Sequence, residues 1–290
     1  MSESPVRVVL ESRPRDLGGV PIGRLLPAPR QRSVGPFVFL DHMGPVRFEP
    51  GKGMDVPPHP HIGLATVTYL FEGEIVHRDS TGAERAITPG AINWMVAGRG
   101  VVHSERTSER ARAEGQTVHG LQLWLALPAA NERDEPSFVH HPVESLPSLS
   151  IDGARVRVLV GTAFGHTSPV DAVSPTVYVD FDLPAGAVVP IPDGYEERCL
   201  YVVEGAITCG DTTHDARKLL VLEPGETSIR AGSRSRVVML GGAKLEAPRL
   251  MDWNFVATTS DRIEEAKLAW REDRFPRVPG DEDERVPYPG

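Results

Sequence analysis

Two stretches, Tyr69-Leu70-Phe71-Glu72-Gly73 and Tyr201-Val202-Val203-Glu204-Gly205, carry the same run of large apolar side chains into the same Glu-Gly turn. Such a run, closed by glycine, reads as a strand entering a tight turn. Thr88-Pro89-Gly90 against Glu223-Pro224-Gly225, and Ala97-Gly98 against Ala231-Gly232, extend the match. A chain that repeats one strand-and-turn unit folds most simply as two copies of one β-domain. The 28 glycines and 27 prolines supply the punctuation that many short strands need.

Strand patterns recur along both copies. Residues 7–10, 37–40, 65–71, 74–79 and 121–127 are short apolar or alternating runs in the first half. Residues 178–183, 199–205 and 219–222 follow in the second. Asp16-Leu17-Gly18-Gly19 is expected as a connection. Asn131 to Pro142 is polar and reads as a linker, placing the domain boundary at 135/136. The predicted domains are 1–135 and 136–290. One helix is expected over Ser260–Arg271, with Asp261 and Glu264 as a capping box and Ile263, Ala266 and Trp270 as its apolar stripe. Its expected role is packing across a barrel.

The chemistry concentrates in two segments of the first copy. His59-Pro60-His61 places two imidazoles at i and i+2, which fall on one face of an extended segment. Pro60 fixes its own φ and cannot donate to a ladder, which leaves both rings unobstructed. His103-Ser104-Glu105 repeats the i, i+2 spacing after a glycine-rich approach through Gly98 and Gly100. Three imidazoles and one carboxylate suit a mid-series divalent metal with open positions. Either pair alone is an ordinary strand end; together they make a chelate. His42 has no ligand two positions away and is read as structural or as a supporting partner. His119 and Gln122 either line the pocket or are strand residues satisfied by backbone. His140 and His141 point to opposite faces of any strand and make a poor chelate.

Counting from the repeat anchors tests whether the second copy binds metal too. The offsets of His59 and His61 from Gly73 lead, from Gly205, to Ile191 and Asp193; those of His103 and Glu105 from Ala97 lead, from Ala231, to Val237 and Met239. One site, in the first copy, is expected.

A formal net charge of −9 argues against a nucleic-acid surface. Part of the acidity lies in Asp281-Glu282-Asp283-Glu284, read as a solvated terminus. No stretch approaches the roughly 20 apolar residues of a membrane span, and Met1-Ser2-Glu3-Ser4-Pro5 lacks a signal-peptide pattern; a cytoplasmic location without membrane contact is the expectation. Cys199 and Cys209 flank the Glu204-Gly205 turn. They are read either as a redox pair on facing strands or as reduced structural thiols.

The segments from His59 through Asp79-Ser80, from Asn93-Trp94-Met95 through His103-Ser104-Glu105, Gly120-Leu121-Gln122-Leu123-Trp124 and Trp253-Asn254-Phe255-Val256 resemble the pirin family of the cupin superfamily. Many members carry Gln where this chain has Asn93. The resemblance implies an all-β bicupin, two jelly-roll-like barrels packed face to face with a short C-terminal helix. It implies one divalent metal, Fe(II) first with Mn, Co, Ni, Cu or Zn as alternatives, held by His59, His61, His103 and Glu105. It further implies a quercetin 2,3-dioxygenase-like activity on a flavonol and O2, with release of carbon monoxide and Glu105 as catalytic base. The other implied role is an iron-dependent, redox-sensitive regulator acting through a protein partner. A monomer is expected, because two joined barrels already cover each other's faces.

Overall fold

The computed structural model describes residues 4–17 and 20–289. Of the expected connection Asp16-Leu17-Gly18-Gly19, Asp16 and Leu17 instead end the strand Arg13–Leu17, while Gly18 and Gly19, like Met1–Glu3, lie outside the described residues. The chain divides into two compact units, each assembled from separate segments. One comprises Pro14–Ile22, Leu40–Val143 and Glu246–Gly290; the other comprises Met1–Arg13, Gly23–Phe39 and Glu144–Leu245. Almost all regular structure is antiparallel strand, with a short helix at Glu109–Glu114 and a longer one at Ser260–Arg271. No helix among the described residues is long and apolar enough to cross a membrane.

In the first barrel the smaller sheet runs Asp55–His61, Val101–Arg106, Ile75–Asp79, Glu84–Ile87. The larger sheet runs Ser137–His141, Ile92–Val96, Leu64–Glu72, Gln116–Ala126, and continues through Phe37–Phe48. The segment expected as a linker therefore contains a strand. Ser137–His141 pairs with Ile92–Val96, because Phe138 stacks on His77 (ring centroids 4.5 Å apart) and His140 Nδ1 meets Asn93 Oδ1 at 2.6 Å. Polar composition hid an edge strand whose inward contacts are aromatic and hydrogen-bonded.

The tail completes this unit. The hairpin Leu250–Asp252 and Phe255–Ala257 leads into the helix Ser260–Arg271. The helix buries Ile263, Ala266 and Trp270 against Ile62, Val102, Phe255 and Val278, the stripe the sequence predicts. Ile62 and Val102 adjoin His61 and His103 in the chain, so the tail packs on the back of the strands that carry the imidazoles. The N-cap is Thr259, without a side-chain cap, rather than the Asp261–Glu264 box. The acidic run is not simply solvated either. Asp281 takes both Nε and an Nη of Arg106 at 2.9 and 2.7 Å, and Glu284 takes the same Nη at 2.8 Å.

The second barrel repeats the plan. Its smaller sheet runs Val188–Ile191, Thr227–Ala231, Ala206–Cys209, Thr212–Asp215; its larger one runs Val6–Glu11, Lys218–Leu222, Glu197–Glu204, Ser235–Gly242, Thr176–Leu183, Ala154–Val160, Ser148–Ile151. Sheet order aligns the copies more strictly than the sequence anchors do. Leu64–Glu72 and Glu197–Glu204 take the same place, so the Tyr69–Tyr201 match holds. The other two anchors slip by one strand. Gly90 precedes Ile92–Val96 and closes its turn with an N–H to Leu70 O at 3.0 Å; Arg217, before Lys218–Leu222, does the same to Val202 O at 2.7 Å. Both have positive φ, 84° and 70°. An arginine in a conformation that favours glycine conceals the true equivalence from a search for glycine.

All four correspondences change. The counterpart of Val101–Arg106 is Thr227–Ala231, not the strand carrying Val237 and Met239. Ladder partners then equate His59 with Val189, His61 with Ile191, His103 with Ile229 and Glu105 with Ala231. All four, and Val237 and Met239 too, belong to one buried apolar cluster.

Candidate metal centre

The two histidine-bearing segments are neighbours in the smaller sheet of the first barrel. His103 pairs with His59 and Val101 with His61. Between His103 and Glu105 the register shifts, so that three steps along Asp55–His61 answer two along Val101–Arg106. The bulge falls at Pro57-Pro58, residues that cannot donate to a ladder. It frees the carbonyl of Pro57 to turn inward, where it lies 2.9 Å from Nδ1 of His59. The ring of His61 makes the equivalent contact with the tail, its Nδ1 3.1 Å from the carbonyl of Asn254. Trp124 stands edge-on to His61 with centroids 5.0 Å apart.

These contacts fix the tautomers. A carbonyl only accepts, so His59 and His61 carry their protons on Nδ1 and keep a lone pair on Nε2. One nitrogen on each of His59, His61 and His103 lies within 4.8 Å of the others, and all three rings are buried. His103 Nε2 is shut off from solvent and has no hydrogen-bond partner among the described residues. A buried, orphaned nitrogen is costly unless something else satisfies it, and a cation shared with two other lone pairs does so.

Burial dominates the electrostatics. It lowers the pKa of His59 to about 4, against the hydrogen bond to Pro57. His61 and His103 are held well below the usual imidazole range, by burial first and by His59 second. Neutral rings are the form that ligates metal. Burial also raises the pKa of Glu105, opposed by a hydrogen bond from Thr68.

Glu105 is buried beside the cluster but stands outside the group of three convergent nitrogens. Its Oε1 accepts from the Thr68 hydroxyl at 2.9 Å. That hydroxyl is also 2.7 Å from the amide of Gln122. It has one proton to give, so when it donates to Glu105 the amide turns its NH2 toward Thr68. Gln122 thus supports the carboxylate. His119 meets His42, Nε2 to Nε2, at 2.8 Å, and the two rings stack at 4.9 Å.

The sequence reading passed over two residues. His77 Nδ1 lies 3.3 Å from His103 Nδ1, and His77 Nε2 lies 2.9 Å from Asp79 Oδ2. Their signal was present as a third i, i+2 pair, His77-Arg78-Asp79.

Two barrels of one strand order, the first holding a buried site of three histidines suited to a metal, define a bicupin. Family models agree: the Pirin model matches residues 19–125 and the Pirin C-terminal cupin domain matches residues 178–276. A pirin-like protein of Caulobacter vibrioides is 45% identical over 98% of this chain and 99% of its own length. Pirin of Homo sapiens is 32% identical, covering 93% of each chain. The crystal structure of quercetin 2,3-dioxygenase from Acinetobacter baumannii superposes with a TM-score of 0.91 at 36% identity, over 98% of this chain and 95% of that one. The chain belongs to the pirin family.

Proposed function

We propose that this chain is a metal-dependent dioxygenase that opens flavonols of the quercetin type, with Glu105 as both fourth metal ligand and proton acceptor. The observation that carries this reading is the set of three buried, neutral imidazoles whose Nδ1 atoms are already engaged, with a buried carboxylate beside them. The likeness to a quercetin 2,3-dioxygenase structure supports the substrate class. Fe(II) is the first candidate, and the same donors accept Mn, Co, Ni, Cu or Zn.

A divalent cation held by His59, His61, His103 and Glu105 supplies a Lewis acid, and for Fe(II) a redox-capable one, when bound. The chain's own residues do the rest. Burial favours the protonated form of Glu105, which suits it to receive the proton of the flavonol 3-hydroxyl. Thr68, backed by Gln122, holds that carboxylate in place and steadies it when it is charged. Trp124 offers an apolar wall beside His61. The deprotonated ring then takes up both atoms of O2 while the carbon that bore the hydroxyl leaves as carbon monoxide.

Protein loaded anaerobically with Fe(II) should bleach the visible absorbance of quercetin on admission of air, and metal-free protein should not. Equal rates with and without metal overturn the reading. Glu105→Gln that keeps its metal and its full rate removes Glu105 from the base role.

A further inference from the structure

Behind the three imidazoles lies a second buried pair that the proposed chemistry does not use. His77 and Asp79 sit on Ile75–Asp79, beside the strand that carries His103, and both are buried. We propose that Asp79 and His77 form a proton-fixed chain that holds His103 as the Nδ1–H tautomer and aims its Nε2 at the cation. The inference rests on the metal reading above.

The assignment follows from counting protons. Asp79 Oδ1 lies 2.8 Å from Thr81 N, 2.6 Å from Thr81 Oγ1 and 3.3 Å from Ala83 N, so it faces donors alone. Oδ2 faces His77 Nε2 at 2.9 Å. Three donors on one oxygen are the surroundings of an ionised carboxylate, which accepts at both oxygens. His77 therefore donates from Nε2. With the single imidazole proton placed on Nε2, His77 offers a lone pair at Nδ1, facing His103 Nδ1 at 3.3 Å. Two lone pairs do not bond, so His103 carries its proton on Nδ1. Its lone pair then lies on Nε2, the buried atom with no partner among the described residues. Phe138, stacked on His77, keeps that ring from turning.

His59 and His61 have their tautomers set by backbone carbonyls; His103 alone has a side-chain relay. Such outer partners are worth about 10- to 100-fold in metal affinity. The second barrel offers an internal control, since its ladder places Ile207 and Cys209 where the first barrel has His77 and Asp79.

Asp79→Asn isolates the effect. The amide oxygen keeps the three contacts at Thr81 and Ala83, so its NH2 must face His77 Nε2. His77 is then forced to protonate at Nδ1 and opposes the proton on His103. The probe is Zn2+, titrated against a chromophoric chelator on the full chain. We expect Asp79→Asn to weaken zinc about 10- to 100-fold. In a His77→Asn background, where a side-chain oxygen accepts from His103 directly, the same substitution should cost less than about twofold, because Asp79 acts through His77. A change of less than about twofold in the single variant, or an equal loss in both backgrounds, overturns the chain.

Should Asp79→Asn not fold, 15N-imidazole NMR of the zinc-loaded wild type decides. The chain requires His77 protonated at Nε2 only and His103 at Nδ1; His77 protonated at Nδ1 sinks it. Zinc retained at full affinity by both His61→Ala and His103→Ala removes the metal reading itself, and the inference with it.

Discussion

The two barrels share strand order and a turn closed by a positive φ, yet at one set of inward positions they are chemically opposite. In the first, six inward positions hold His59, His61, His103, Glu105, His77 and Asp79. In the second the same positions hold Val189, Ile191, Ile229, Ala231, Ile207 and Cys209. The fold is indifferent to which set it carries. The apolar set is stabilised by removal from water alone, while the polar set needs each nitrogen and oxygen partnered. The first barrel meets that need with the Pro57 and Asn254 carbonyls, Thr68 and Asp79, and leaves three convergent ring nitrogens, of which His103 Nε2 is buried with no partner among the described residues. That remainder is what separates a metal site from a core.

Four measurements can break or sharpen this contrast. The largest effect concerns the metal itself. Wild-type protein should bind one divalent ion per chain, and His103→Ala should reduce that to near zero while the second barrel stays folded. Elemental analysis beside circular dichroism reads both, and two ions per chain would end the claim that the second barrel is inert. Next comes the apolar counterpart of the same position. Ile229→Ala should cost about 2–5 kcal/mol of folding stability by urea denaturation and leave metal content unchanged.

A smaller effect is expected where the tail is fastened. Arg106→Ala should cost about 1 kcal/mol or less, since its partners are partly exposed. Burial works against the charge of Asp281, but its hydrogen bonds from Arg106 hold its pKa below the usual value. A carboxylate lowered on folding stabilises above its unfolded pKa of about 3.9. The gap between wild type and Asp281→Asn should therefore be full at neutral pH and close as pH falls through the lowered folded value. A gap that widens on acidification would contradict the pairing. The smallest effect is chemical. Cys199 and Cys209 are free and buried, and burial raises both thiol pKa values. A thiol reagent at pH 8 should find neither in native protein and both after denaturation; rapid labelling of Cys209 would show the second core to be open.

Much of this was legible in the sequence. The spacing of His59, His61, His103 and Glu105 declares itself because strand periodicity converts i, i+2 into one face. The helix at Ser260–Arg271 is equally plain in its stripe. Other features are hidden for physical reasons. The carbonyl that orients His61 comes from Asn254, 193 residues away, and any residue has a carbonyl. The repeat could be aligned at Tyr69 and Tyr201 but slipped at Gly90, because Arg217 adopts the turn conformation that a reader assigns to glycine. The edge strand Ser137–His141 was masked by polar neighbours, and Asp281 passed for solvated because its partner Arg106 is remote in sequence.

Anomalous diffraction from crystals of the metal-loaded protein tests the central claim most directly. The account predicts one peak per chain, within about 2.0–2.3 Å of Nε2 on His59, His61 and His103, with an oxygen of Glu105 drawn in to join them. A peak bonded through Nδ1, a peak in the second barrel, or three imidazoles that stay unligated in metal-saturated crystals would contradict it.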